Sequence, residues 1–307
     1  MAMVGYAYKC ANRGMALGLT SSAIYLGLSC GPVIGGYLTE LYGWHSVFWI
    51  PATPMILALL ATYFIIEDYV PGNCTERMDW TGSLMFSVAI TAFFGGLTGL
   101  PNPISLTVLI VGILLLVMFV HHQKQSDSPL IKLDALKINH VFTRSVSASF
   151  LMYGALFPTA FLLSLYMQFA LGMSPSTAGQ HLLIQTAIMM IVAPAAGKVS
   201  DVYEPRIVAT LGCLFFASGY VVLVVLDLDS PISQVNGALV LLGAGFGLFS
   251  SPNNNAALGS IDDNKLGIAS AILNLSRTSG NATSMAVIML FFRLLFRRNP
   301  NHIRTTT

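Results

Sequence analysis

The sequence predicts an all-α, polytopic membrane protein, and three observations carry that prediction. Hydrophobic residues make up 55% of the 307 residues and charged residues only 9%, against about 25% charged in an ordinary soluble domain. Mean hydropathy is +0.72. The apolar residues also fall in runs of roughly 20, the length at which a helix crosses about 30 Å of hydrocarbon. In that medium the backbone must satisfy its own hydrogen bonds, so helix is the default. Fifteen Lys and Arg with thirteen Asp and Glu are too few to cover a soluble fold of this size. A soluble enzyme and a disordered chain are thereby excluded. The +2 net charge supplies no basic field for nucleic acid. Cys10, Cys30, Cys74 and Cys213 are scattered without a CxxC, which argues against a disulfide framework or a zinc site.

Nine spans follow in order. The first covers residues 16–38 and stops at the Tyr42-Gly43 turn. The second, 46–66, follows Trp44 and His45 and ends before Glu67. The third, 80–99, begins after Asp79 and stops at Pro101-Asn102-Pro103, from which the fourth, 104–121, departs. The fifth, 145–168, begins after Arg144 and ends before Met173-Ser174-Pro175; the sixth is 179–197. The seventh, 207–226, gives way to Asp229-Ser230-Pro231, the eighth, 235–252, to a turn at Asn253-Asn254-Asn255, and the ninth is 267–292. Each break carries turn chemistry. Residues 1–14 are too short and polar for a cleavable signal and read as the end of something else.

Lys and Arg orient the chain. Lys9 and Arg13, Arg77, then Lys124, Lys132, Lys137 and Arg144, then Lys198 and Arg206, and finally Lys265 occupy one set of loops. The alternate loops, 39–45, 100–103, 169–178 and 227–234, hold none. The N-terminus is expected in the cytoplasm, in a plasma (inner) membrane. Nine spans then place Arg293, Arg297, Arg298 and Arg304 outside. Continuation of the chain, a last helix that does not cross, or an unnatural tail would each account for this.

Motifs add detail. Gly27, Gly31 and Gly35, four apart in GLSCGPVIGG (27–36), share one helical face that lets another helix approach; Pro32 removes a backbone donor, and Gly36 completes the run. RGMALG (13–18) precedes it, and GWHSVFWIP (43–51) opens the second span. Gly197, Asp201 and Arg206 lie in GKVSDVYEPR between spans six and seven. SPNNN (251–255) and SRTSG (276–280) mark spans eight and nine. Together these resemble the fourteen-span drug:proton antiporters of the major facilitator superfamily. The likeness runs over residues 9–290 and matches helices five to thirteen, so the chain is expected to be an incomplete helical bundle of that fold.

The resemblance implies the following. The glycines of 27–36 are the antiporter motif, expected to pack two bundles and hinder proton leak. Asp201 latches the cytoplasmic side; His45 and Val202 depart from the family pattern, where Arg is usual. Residues 1–15 are a cytoplasmic start, 16–66 the last two helices of an N-terminal bundle, 67–144 two extra helices with a linker, 145–292 five helices of a C-terminal bundle, and 293–307 a basic tail. The function is proton-driven efflux of amphiphilic, often cationic compounds by alternating access, with loss of activity expected in a partial chain. Export of another metabolite and a non-transporting remnant are the alternatives.

An Arg in mid-span costs about 2.5–3.5 kcal/mol on insertion scales, so Arg277 should face a polar cavity, with Asn274 beside it. Tyr153, Phe157 and Gln185 are further cavity candidates, as are Pro158, Tyr166 and Gln168. All thirteen acidic residues fall in loops or at helix ends. The expected partners are the bilayer and a small amphiphile, with no nucleic acid; the proton gradient drives transport and no cofactor or metal is needed. No phosphate loop, nucleophile elbow or His/Asp constellation points to an enzyme.

Overall fold

The computed structural model describes residues 3–4, 8, 13–43, 45–65, 79–126, 139–227, 230–262 and 265–298. Lys9, Cys10, Trp44, Glu67, Cys74, Arg77, Lys132, Lys137, Asp229 and Arg304 lie outside them. Among the described residues the chain is helical throughout: α1 Arg13–Tyr42, α2 Ser46–Ile65, α3 Trp80–Gly99, α4 Pro103–Gln125, α5 His140–Leu165, α6 Pro175–Val202, α7 Pro205–Val224, α8 Ile232–Gly259 and α9 Leu266–Arg298. A π-helical turn, Tyr166–Ala170, extends α5. Among the described residues six segments are long and apolar enough to span a bilayer: α3, α4, α5 with its π turn, α6, α7 and α8. The bundle of helices predicted from composition is the fold observed.

Local chemistry sets the helix boundaries. Asn102 and Ser174 cap α4 and α6 with their side chains, each followed by Pro at the first turn, where the missing donor costs nothing. Asn139 caps α5 through Phe142 N and also reaches Ser260 O. Gly172, at φ +65°, takes the left-handed conformation that ends the α5 extension.

Two expectations need correcting. Asn253-Asn254-Asn255 is not a turn, because α8 runs on through Pro252 to Gly259. Side-chain bonds from the asparagines to neighbouring helices support the backbone there. Gly197 and Asp201 are not in a loop either. They form the last turns of α6, and only Tyr203 and Glu204 separate it from α7, whose first turn begins at Pro205.

α8 is the central helix. Half of its most apolar stretch is buried, against 11–28% in the other spanning helices, and it touches α1, α5, α6, α7 and α9. Small residues permit this. A Cβ on Gly245 would lie 2.4 Å from Phe216 N of α7, and one on Gly212 would lie 2.6 Å from Phe249 N. Tyr25, Met152, Met189, Phe216, Leu242, Phe246 and Phe249 fill the core around it. α5 and α9 close through Gly154 and Gly280. α3 and α4 pair through Gly96 and Gly112, and α3 also meets α9. α2 touches α1 and is otherwise exposed, as Trp49, Tyr63 and Phe64 show. In lipid an apolar outer face carries no penalty.

Candidate functional site

Three constructions meet where α1 crosses the α5–α9 group. The first is a seam of small residues between α1 and α6. Gly14, Gly18 and Ser22 recur every four residues on α1 and meet Gly197, Ala193 and Met190 on α6. A Cβ on Gly14 would stand 2.4 Å from Gly197 O, and one on Gly18 2.6 Å from Ala193 O. Ser22 Oγ donates to Met190 O at 2.7 Å.

The second construction is a cap supplied from outside the helix. Asp201 accepts from Gly14 N at 2.6 Å and Met15 N at 2.9 Å. These amides open α1 and have no acceptor within it, and a carboxylate there also meets the positive end of the helix dipole. Ser251 Oγ of α8 donates to Gly14 O. Arg206, beside Asp201 in sequence, stands exposed at the start of α7.

The third is the run of asparagines. Successive residues on a helix point about 100° apart, so each reaches a different neighbour. Asn253 donates to Ser149 Oγ at 2.9 Å and Ser145 O at 3.2 Å on α5. Asn254 accepts from Arg277 Nη2 of α9. Asn255 donates to Ser200 Oγ at 3.3 Å and Asp201 Oδ1 at 3.5 Å on α6.

Arg277 joins these to an aromatic group. Its guanidinium carbon sits 5.0 Å from the centre of the Tyr153 ring, a cation–π contact. Tyr153 meets Phe246 edge-on at 4.9 Å. Tyr25 meets the same Phe246 at 6.2 Å and donates its hydroxyl to Ser250 Oγ at 2.9 Å. Four helices, α1, α5, α8 and α9, therefore contribute to one polar–aromatic cluster in the interior. Among the described residues no group of His, Cys, Asp and Glu suits a metal.

The other residues singled out from sequence fall elsewhere. Gly27 is exposed, and a Cβ there would meet nothing within 4 Å among the described residues; among those residues the close approach of α1 to α6 runs through Gly14 and Gly18. For Gly31, Pro32, Gly35 and Gly36 only the helical backbone is described. Phe157 is 52% exposed, on the outer face of α5. Asn274 is exposed too. Gln185 is buried, with no hydrogen-bond partner for Nε2. Sequence reasoning missed Tyr25, Asn254 and the Gly14–Gly18–Ser22 seam. The signal in the sequence is the spacing of four that joins Gly14, Gly18 and Ser22.

Residues 1–285 match the family model described as Major Facilitator Superfamily. The chain belongs to the Major Facilitator Superfamily. It is thus a transporter-family membrane protein. It is 29% identical over 296 residues to the riboflavin transporter RibZ of Clostridioides difficile, covering 95% of this chain and 64% of that protein. It is 28% identical over 295 residues to the multidrug efflux pump LfrA of Mycolicibacterium smegmatis, covering 94% and 57%. It is 25% identical over 300 residues to the multidrug resistance protein Stp of Mycobacterium tuberculosis, covering 94% and 54%. The chain therefore spans somewhat under two thirds of the length of these relatives.

Proposed function

We propose that this chain is part of a fourteen-span drug:proton antiporter, which exports small amphiphilic compounds by alternating access. The observation that carries the reading is the interior cluster of Arg277, Asn254, Tyr153 and Tyr25, where α1 meets α5, α8 and α9. Ionisable groups inside a membrane mark transport paths, and transporter sites lie at the interface of two helical units near the midplane. On this reading α1 and α2 belong to one bundle, α5 to α9 to the other, and α3–α4 are the extra pair. Two relatives named for multidrug export and resistance support the substrate class.

The loops rich in Lys and Arg support a cytoplasmic N-terminus. The hydrogen bonds and closest backbone approaches of α1 to α6 and α8, among the described residues, fall in residues 14–25. This half of α1 lies toward the cytoplasm in that orientation, so the state is closed there and the Asp201 cap is the latch. Export of a different metabolite is the second reading, favoured by the relative named a riboflavin transporter.

The test uses the full reading frame that contains this chain, reconstituted in proteoliposomes with an imposed pH gradient. Uptake of dyes and of riboflavin into inside-out vesicles should follow the gradient and collapse with a protonophore. Transport that ignores the gradient refutes antiport. Movement of riboflavin but of no dye selects the second reading.

A further inference from the structure

Resting on the transport reading above, we propose that Arg277 and Asn254 receive the negatively charged oxygen group, carboxylate or phosphate, of an aromatic substrate. Arg277 has no carboxylate within ion-pair distance among the described residues. The acidic side chains described, Asp79, Asp201, Glu204, Asp227 and Asp262, all stand at helix ends. The guanidinium spends one N–H on Asn254 Oδ1 and one face on the Tyr153 ring. Its Nε is buried without an acceptor. Asn254 is 1% exposed, and its Nδ2 likewise lacks an acceptor. Two unfilled donors, linked through the bond between their own residues, are free to take an acceptor from outside the described residues. Among the described residues no carboxylate offsets the guanidinium charge, so in a medium of low dielectric an anion fits better than a neutral carbonyl. Its planar edge suits the paired oxygens of a carboxylate or phosphate.

The surroundings specify the rest of the ligand. Tyr153, Phe246 and Tyr25 form a continuous group of packed rings beside the cation, an aromatic environment that suits a planar ring joined to the acidic group. One helical turn beyond Arg277, Asn281 holds a buried acceptor, Oδ1, without a partner, which suits a hydroxyl or N–H on the same ligand. A cationic ligand would instead meet the guanidinium as a like charge.

The experiment uses the full reading frame in nanodiscs and four naphthalene probes: 1-naphthoate, 1-naphthyl phosphate, 1-naphthylmethanol and 1-naphthylmethylammonium. Binding is measured by calorimetry. Wild type should bind one or both anions at least tenfold more tightly than the ammonium probe, and the two anionic arms distinguish carboxylate from phosphate. Arg277→Gln should lose at least tenfold for the anions while the neutral alcohol changes less than threefold; Arg277→Lys should retain part of the affinity. Asn254→Asp, which sets a carboxylate against Arg277, should erase the anion preference and serves if Arg277→Gln does not fold. Equal or tighter binding of the ammonium probe overturns the proposal, as does unaltered anion binding in both variants. Gradient-driven transport of cations without anion binding defeats only this inference. Anion binding without any gradient-driven transport defeats the functional reading and leaves this one standing.

Discussion

Replacing Gly197 by alanine should open the α1–α6 seam, and the structure supplies the magnitude. The new Cβ would lie 2.1 Å from Gly14 O and 2.8 Å from Ser251 Oγ. Both facing atoms sit on packed helices, and the nearer is backbone, which cannot rotate aside. Ordinary contact begins near 3.4 Å, so the helices must part by about 1 Å at this point. The bond from Gly14 N to Asp201, now 2.6 Å, then stretches to the edge of hydrogen-bonding range. Overpacking costs about 1–3 kcal/mol and loss of a helix cap about 1 kcal/mol. At 1.4 kcal/mol per decade, a total of about 2–4 kcal/mol lowers the clasped population roughly 30- to 700-fold. The gain in helix propensity from glycine to alanine applies with the helices together or apart and so cancels. The assay is amide hydrogen exchange on the full-length protein in nanodiscs, read over residues 13–25 and 197–203. Exchange there should rise at least tenfold. Gly27→Ala is the matched control, because a Cβ at Gly27 meets nothing within 4 Å, and it should exchange as wild type does. Equal behaviour of the two variants would refute the assignment of the seam.

Gly280→Ala should destabilise the α5–α9 contact by about 1–3 kcal/mol, since its Cβ would lie 2.3 Å from Phe150 O; a thermal melt in detergent that leaves Tm unchanged contradicts this. Arg293→Ala removes bonds to Thr98 O at 3.0 Å and Leu100 O at 2.6 Å, which close the end of α3. The site is exposed, so about 1 kcal/mol or less is expected, read as faster proteolysis after residue 99. Asp79 accepts from Gly82 N at 2.7 Å and Gln123 Nε2 at 2.8 Å, tying α3 to α4. The Gly82 amide holds its carboxyl below the ordinary value of 3.8, burial opposes the shift, and Gln123 and His122 reinforce it. A lowered folded pKa contributes stability above the unfolded value and loses it as pH falls through the folded one. The α3–α4 contact should therefore not loosen between pH 8 and pH 5 in Gly82 amide exchange, and should loosen only below 3.8; loosening already at pH 5 would sink the assignment.

Much of the architecture was legible because a spanning helix is a local property. Twenty apolar residues between turn signals are helical in lipid whatever surrounds them, and each of the nine predicted segments lies largely within a described helix, six of them long and apolar enough to span. Arg277 was legible for the same reason: a charge in an apolar run needs an interior partner wherever the run sits. Helix ends were less so. The Asn253–Asn255 run reads as a turn by composition, yet it stays helical because its three side chains bond α5, α9 and α6.

Which face meets which neighbour was settled only in three dimensions. Gly27 and Gly18 are both glycines in a spacing of four on the same helix. One meets nothing within 4 Å among the described residues and the other stands against Ala193 O, a contact that depends on residues about 175 positions away. Asp201 was readable as a helix-end carboxylate, but its acceptance of two amides from the start of α1 joins residues 187 and 186 apart. By itself the sequence determined the medium, the number of described helices and the presence of an interior cation, because hydrophobic length and charge burial act along the chain. Only the tertiary structure decided that Arg277 pairs with Asn254, that Phe157 and Asn274 turn outward, and that α1 is clasped through Gly14 and Gly18, because packing compares surfaces that no local pattern brings together.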